Sequence, residues 1–227
     1  MKRQQLLLLI LAFGVFSILN TEMGIIGILP MAAAMYQVDI VQAGMLVSLF
    51  ALGVAIAGPT MPLLFSRFNR KHVMLLVLGV FTICNALAAV ASDFQLLLVL
   101  RVVPAFFHPV YCALAFSVAA ASVAPEDAPR AVARINMGVA AGMVVGVPIS
   151  NVLAATFDFS AAMVFFAGVT GLMFLLTMAF VPDLPVMQPM RYGAQLSVLK
   201  RPPVWLAIVA VICLNGSIFG VYNYLAD

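Results

Sequence analysis

The chain has 227 residues, a formal net charge of +3, 65% hydrophobic residues and only 8% charged ones. Soluble domains run to about half apolar and a quarter charged, so a water-facing globule is excluded. The small positive surplus is spread along the chain rather than gathered into a basic patch, so no nucleic acid is expected as a partner.

Lipid admits only helices and closed barrels, because every backbone polar group must be satisfied internally. Barrel strands would show alternating segments of about 10 residues. Here the apolar runs reach ~20 residues or more without alternation, which predicts helices. Seven spans are expected, at 5–29, 41–65, 73–92, 94–122, 135–157, 159–181 and 203–225.

The chain opens with MKRQQLLLLILAFGVF, a basic start followed by an apolar stretch. A secretory signal would have a core of only ~7–15 apolar residues. This run continues to Leu29, so it reads as a membrane helix. Within it stand Asn20 and Glu22, and Glu22 lies eight residues before Pro30. At the helical rise that is ~12 Å below the outer boundary. A charge in hydrocarbon costs at least ~3 kcal/mol on insertion scales.

Span two carries GVAIAGP at 53–59, and a basic loop with Arg67, Arg70, Lys71 and His72 follows the span. Solvation is the default reading of His72. Span four begins after Asp93 and carries Arg101 eight residues in, again at ~12 Å. His108 and Cys112 continue the face of Arg101. Pro104 and Pro109 are expected to interrupt the helix and border a cavity. Span five carries Gly138, Gly142, Gly146 and Ser150 every four residues, with Pro148 adding a bend. Small residues on one face permit close approach of a neighbouring helix. The stretch 182–203 holds five prolines and three basic residues and reads as a linker. The chain stops at residue 227 as span seven closes, so a truncated product or a fragment is expected.

The basic residues set a topology. If the spans alternate, Lys2, Arg3, the loop of Arg67, the segment of Arg130 and Arg134, and Arg191, Lys200 and Arg201 fall on one side. The opposite loops carry Asp39, Asp93 and Asp158 and no Lys or Arg. The N-terminus is therefore predicted to be cytoplasmic. Of eleven Lys and Arg residues only Arg101 remains inside a span.

Glu22 and Arg101 are thus opposite charges at one depth. They predict a proton- or substrate-handling site facing a central cavity, with His108 and Asn20 as further members. The alternatives are a structural ion pair, a snorkelling Glu22 and a satisfied buried histidine. Asn85, Asn136, Asn151 and Asn215 are expected to make interhelical hydrogen bonds. Cys84, Cys112 and Cys213 lie in apolar runs and predict packing, not a metal site or disulfide framework.

Other classes fit poorly. A retinal protein needs a lysine in its last span, and 203–225 has none. A receptor coupled to G proteins would place its N-terminus outside. No Walker lysine pattern, zinc-helix motif or nucleophile elbow is present, so neither ATP coupling, nor an enzyme, nor a cofactor is expected.

Three stretches carry a family resemblance. LLFSRFNRKHVML, residues 63–75, matches the pattern G-x-L-a-D-r-x-G-r-k at Leu64, Arg67, Arg70 and Lys71, with Pro62, Ser66 and Asn69 in place of Gly, Asp and Gly. LLLVLRVVPAFFHP places Arg101 where that family has a helix-four arginine. GMVVGVPIS, residues 142–150, is similar to a helix-five antiporter motif at Gly142, Gly146 and Pro148. On these residues the chain resembles the N-terminal half of a major facilitator superfamily transporter, of the drug:proton antiporter group that includes bacterial arabinose and sugar efflux permeases.

The resemblance implies an all-α membrane protein: a six-helix bundle over 1–181, a cytoplasmic linker at 182–202, and the first helix of an incomplete second bundle at 203–227. It implies proton-coupled efflux of a small solute across the bacterial cytoplasmic membrane, with substrate held between two bundles near the midplane. Arg67, Arg70 and Lys71 would form a cytoplasmic latch, and Gly138, Gly142, Gly146 and Pro148 the antiporter helix. The partners are a solute, protons, lipid and a second half or copy. The alternative is a non-transporting half acting as a scaffold or pairing partner.

Overall fold

The computed structural model describes residues 2–184 and 202–224. The chain divides into two units, Met1–Val186 and Met187–Asp227. In the first, α1 (Lys2–Gly24), a 3₁₀ turn (Ile26–Ile28) and α2 (Leu29–Tyr36) form one continuous crossing element. Then come α3 (Ile40–Ala57), α4 (Met61–Phe65), α5 (Arg70–Ala88), α6 (Phe94–Ala121), α7 (Ala128–Ala141), a π-helical stretch (Gly142–Gly146), α8 (Val147–Thr156) and α9 (Phe159–Phe180). The second unit contributes α10 (Pro202–Tyr224), where the seventh span is expected. Residues 185–201, most of the expected linker, lie outside the described residues.

Among the described residues, six helical elements are long and apolar enough to cross a membrane. All-α membrane architecture follows as predicted; the boundaries move. The first span does not stop at Leu29. Pro30 occupies the first turn of α2, where its missing N–H is not needed, so the helix resumes and runs to Tyr36. Glu22 accordingly sits near the middle of a 34-residue element, deeper than the sequence suggests. Gln37 closes α2 in the left-handed region (φ 52°), and Val38 N–H reaches the Ala33 carbonyl at 3.1 Å. The second span breaks after Ala57, and its tail becomes the short α4. The expected interruption of span four does not occur. α6 runs unbroken through Pro104 and Pro109, and each ring removes one backbone donor from the ladder.

Asp39, Asp93 and Asp158 cap α3, α6 and α9. Their carboxylates accept from Gln42 N–H at 2.7 Å, Leu96 N–H at 2.9 Å and Ala161 N–H at 2.7 Å. Each satisfies a donor that the first helical turn leaves open. Asp93→Ala is expected to lower stability by about 1 kcal/mol and Asp93→Asn by much less. Thermal unfolding in mild detergent measures the difference.

α1 is the central staff of the first unit. In its most apolar window 67% is buried, against 28% in those of α3 and α9, which turn Leu52, Ile56, Leu172 and Leu175 outward. Lipid tails are as apolar as these side chains, so close packing rather than water exclusion must hold the helices together. α1 and α6 run antiparallel. Gln4 donates to the Ser122 carbonyl at one end, Gly14 lies against Tyr111, and Thr21 meets Arg101 further on. α1 and the α7–α8 element run parallel in four-residue steps, Gly138 on Ala12, Gly142 on Phe16 and Leu19, and Gly146 on Asn20. The glycine face read in span five thus has a definite partner.

The core has two apolar clusters. One gathers Leu11, Val15, Ile18, Phe50, Phe81 and Tyr111; the other Ile25, Ile28, Leu46, Leu97, Met163 and Phe166. Along α1, α5 and α6 the switch from one cluster to the other falls in the region of Thr21, Asn85 and Arg101. A polar band separates the two.

Candidate functional site

Glu22, on α1, faces α6. Its carboxylate lies 2.9 Å from Nε2 of His108, and the two side chains are 18% and 11% exposed. Helical side chains lean toward the N-terminus of their own helix. On antiparallel helices the carboxylate and the imidazole therefore lean toward each other, which closes the axial gap. Equal depth in the sequence predicts Glu22 beside Arg101. The structure instead gives Glu22 the histidine two turns further along α6.

Arg101 is almost completely buried and points to the same band. Its Nη1 donates to the Thr21 carbonyl at 3.0 Å, and its Cζ stands 5.0 Å from the centroid of the Phe50 ring. Nε and Nη2 have no hydrogen-bond partner. The fork thus binds a carbonyl next to Glu22 in the chain, with its positive charge close to the carboxylate and no direct ion pair between them. Arg101→Lys is expected to cost about 2 kcal/mol, since a single ammonium cannot both reach the carbonyl and lie flat on the ring. Thermal unfolding of the purified variant checks it.

Asn20 is completely buried, with both amide atoms unpartnered, and it abuts Gly146. It lies on the α8 side of α1, away from the Glu22–His108 contact. Of the other asparagines, Asn85 donates to Thr21 Oγ1 at 3.4 Å, whereas Asn136 is exposed and Asn151 half-buried. The side chain of Asn215 lies outside the described residues. Cys112 Sγ is 4.0 Å from His108 Nε2, and the described residues hold no cluster suited to a metal ion.

Pro148 follows the π-helical stretch Gly142–Gly146. A proline ring displaces the carbonyl four residues back, and a widened turn accommodates it. The expected bend is therefore a π-helical segment, seated on α1 at Asn20. The basic loop is ordered by its own polar residues: Asn69 Oδ1 accepts from Lys71 N–H at 3.0 Å and caps α5, and Ser66 Oγ donates to the Leu63 carbonyl at 2.6 Å. Arg70 N–H reaches the Leu184 carbonyl at 3.4 Å. Arg70 and Lys71 are half-buried and Arg67 is exposed. A groove of about 830 Å³ lies between α1 and α7, lined by Leu9, Phe13, Phe16, Met137 and Gly138 among others. Glu22 and His108 are not among its lining residues.

Sequence reasoning missed Thr21 and Phe50. Thr21 acts through its backbone and a hydroxyl, and Phe50 is one apolar residue in an apolar span, so neither carries a signal of its own.

The family model described as Major Facilitator Superfamily matches residues 11–226. The inner membrane transport protein YdhP of Escherichia coli (strain K12) is 32% identical over 220 residues, covering 96% of this chain and 56% of that protein. The putative transporter AraJ of the same organism is 27% identical over 218 residues, 96% of this chain and 55% of the relative. A probable sugar efflux transporter of Helicobacter acinonychis is 24% identical over 217 residues, 95% and 55% respectively. The chain spans about half the length of the curated relatives it matches. Among solved structures, the peptide transporter POT in complex with sulfate superposes with a TM-score of 0.73 at 14% identity, over 92% of this chain and 46% of that one. A bacterial homologue of the human lysosomal transporter Spinster, inward-facing and unoccupied, gives 0.67 at 19% identity, over 82% and 44%. At such identities the likeness is one of fold alone.

Proposed function

This chain belongs to the Major Facilitator Superfamily, and from that premise we propose that it forms the N-terminal half of a proton-coupled exporter of a small solute. One observation carries the reading: a carboxylate and an imidazole 2.9 Å apart inside the bundle, on two different helices. Taking such groups out of water is costly, and ionisable residues within spans commonly mark proton or substrate pathways. Glu22 and His108 exchange the proton. Arg101, fixed on Thr21, holds a positive charge in the same buried band. Asn20, buried and unpartnered beside the π-helical segment, turns to solute or water in another state of the bundle.

The membrane is the bacterial inner membrane, in keeping with the name of the E. coli relative, and the efflux direction accords with the Helicobacter one. The N-terminus is cytoplasmic by the charge bias of the loops. Arg67, Arg70 and Lys71 act as the cytoplasmic latch. Gly138, Gly142, Gly146 and Pro148 let α7–α8 slide on α1. The solute is a sugar, a drug or a metabolite.

A second reading is a half that pairs with another copy or half without transporting. The open apolar groove between α1 and α7 favours it. The experiment that separates the two is reconstitution of the complete reading frame containing these residues into proteoliposomes. A panel of labelled sugars, drugs and metabolites is loaded, and efflux is followed with and without a pH gradient. Efflux that responds to the gradient supports the exporter. Efflux indifferent to it overturns proton coupling, and no efflux together with a stable dimer in mild detergent favours the pairing half.

A further inference from the structure

A histidine that handles a proton is ordinarily aimed by a hydrogen bond to its second ring nitrogen. His108 has none: Nε2 meets Glu22, while Nδ1 is buried and unpartnered. Cys112 Sγ also lies on the Nε2 side, at 4.0 Å. Hydrogen bonding therefore leaves the ring held at one edge only, and packing must fix its plane.

Phe50 supplies that packing. It comes from α3, whose most apolar window is only 28% buried, yet its own side chain is 2% exposed. Its ring lies edge-on to the His108 ring, with centroids 6.0 Å apart and planes at 77°. The same ring carries the Arg101 guanidinium at 5.0 Å. One phenyl group thus touches both nitrogenous side chains that surround Glu22. The T-shaped contact is a favoured arrangement of aromatic rings, and the guanidinium contact is a favoured cation–π distance.

Resting on the exporter reading, we infer that Phe50 is a positioning residue for the Glu22–His108 pair, holding the imidazole edge toward the carboxylate while its ring also bears on Arg101. This makes α3 a third helix with a part in proton transfer, although it brings no ionisable group to the site. A displacement of α3 in transport would release the imidazole from Glu22 without moving either α1 or α6.

The test reads the imidazole directly and needs no substrate. The chain has two histidines, and His72→Gln, at an exposed position in the first turn of α5, leaves His108 alone. The chain is labelled with ¹⁵N-histidine and embedded in lipid nanodiscs. The parent should show one set of ring-nitrogen signals with Nε2 hydrogen-bonded. Phe50→Leu should give several or averaged sets and raise the rate of His108 modification by diethylpyrocarbonate about tenfold. Phe50→Tyr should keep the single set, and Phe50→Met covers the case in which the leucine variant does not fold. In a Glu22→Gln background Phe50→Leu should change the rate less than threefold. A single undisturbed set in the folded Leu or Met variant overturns the inference. So does an equal rate increase with and without Glu22, which would make Phe50 ordinary packing. Loss of the exporter reading is seen separately, in vesicle transport, and does not alter this spectrum.

Discussion

Glu22→Gln in the complete reading frame is expected to abolish the pH-gradient dependence of solute efflux while leaving membrane insertion and yield unchanged. The glutamine amide matches the carboxylate in size and still meets His108, so the helices keep their contact. On the exporter reading, what is lost is the group that gives up a proton. Coupling energy then has no route into the bundle, and exchange of solute across the membrane should persist without concentration. Counterflow measured at equal pH on both sides, beside efflux under a gradient, separates the two effects. Coupled export at the parent rate in this variant would reduce Glu22 to a structural role and leave the buried pair without a transport function.

The second large effect is on assembly. A Cβ built on Gly138 would fall on the carbonyl oxygen of Ala12 and within 2.9 Å of the carbonyl carbon behind it. Both atoms belong to the backbone of the central helix, so no rotamer change relieves the contact and α7 must move off α1. Gly138→Ala is expected to cost about 2 kcal/mol, as overpacking of a close interface does. For a chain of this size that is a fall of roughly 4–8 °C in melting temperature. Gly168→Ala in α9 is the control, since an added Cβ there meets nothing within 4 Å. Equal melting of the two variants would show that α1 and α7 are not held as closely as the register requires. The same logic applies at Gly146, where the obstacle is the softer Asn20 side chain, so the loss there should be smaller.

The two outcomes concern different links in one chain of cause. The glycine face lets α7–α8 press on α1, and α1 in turn presents Glu22 to α6. Loosening the first contact should disturb the second, so Gly138→Ala is also expected to broaden the His108 signals. Gly168→Ala should not.

The sequence by itself determined that the chain lives in lipid and is helical, because composition and run length admit no other backbone solution. It also placed an aspartate before α3, α6 and α9 and an asparagine before α5, and these cap four helices. It singled out Glu22, Arg101 and His108, since charge and imidazole are rare in apolar runs. It aligned the glycines of span five on one face, since a four-residue spacing keeps small residues on one side of a helix. Tertiary structure decided the partners. The Glu22 carboxylate had two nitrogen-bearing candidates on one face of α6, and the lean of side chains on antiparallel helices gave it His108 rather than Arg101. The helix facing the glycines had no mark in sequence, because Ala12, Phe16 and Leu19 are ordinary apolar residues. Phe50 was illegible for the same reason: an aromatic ring becomes a positioning group only through what two other helices bring against it.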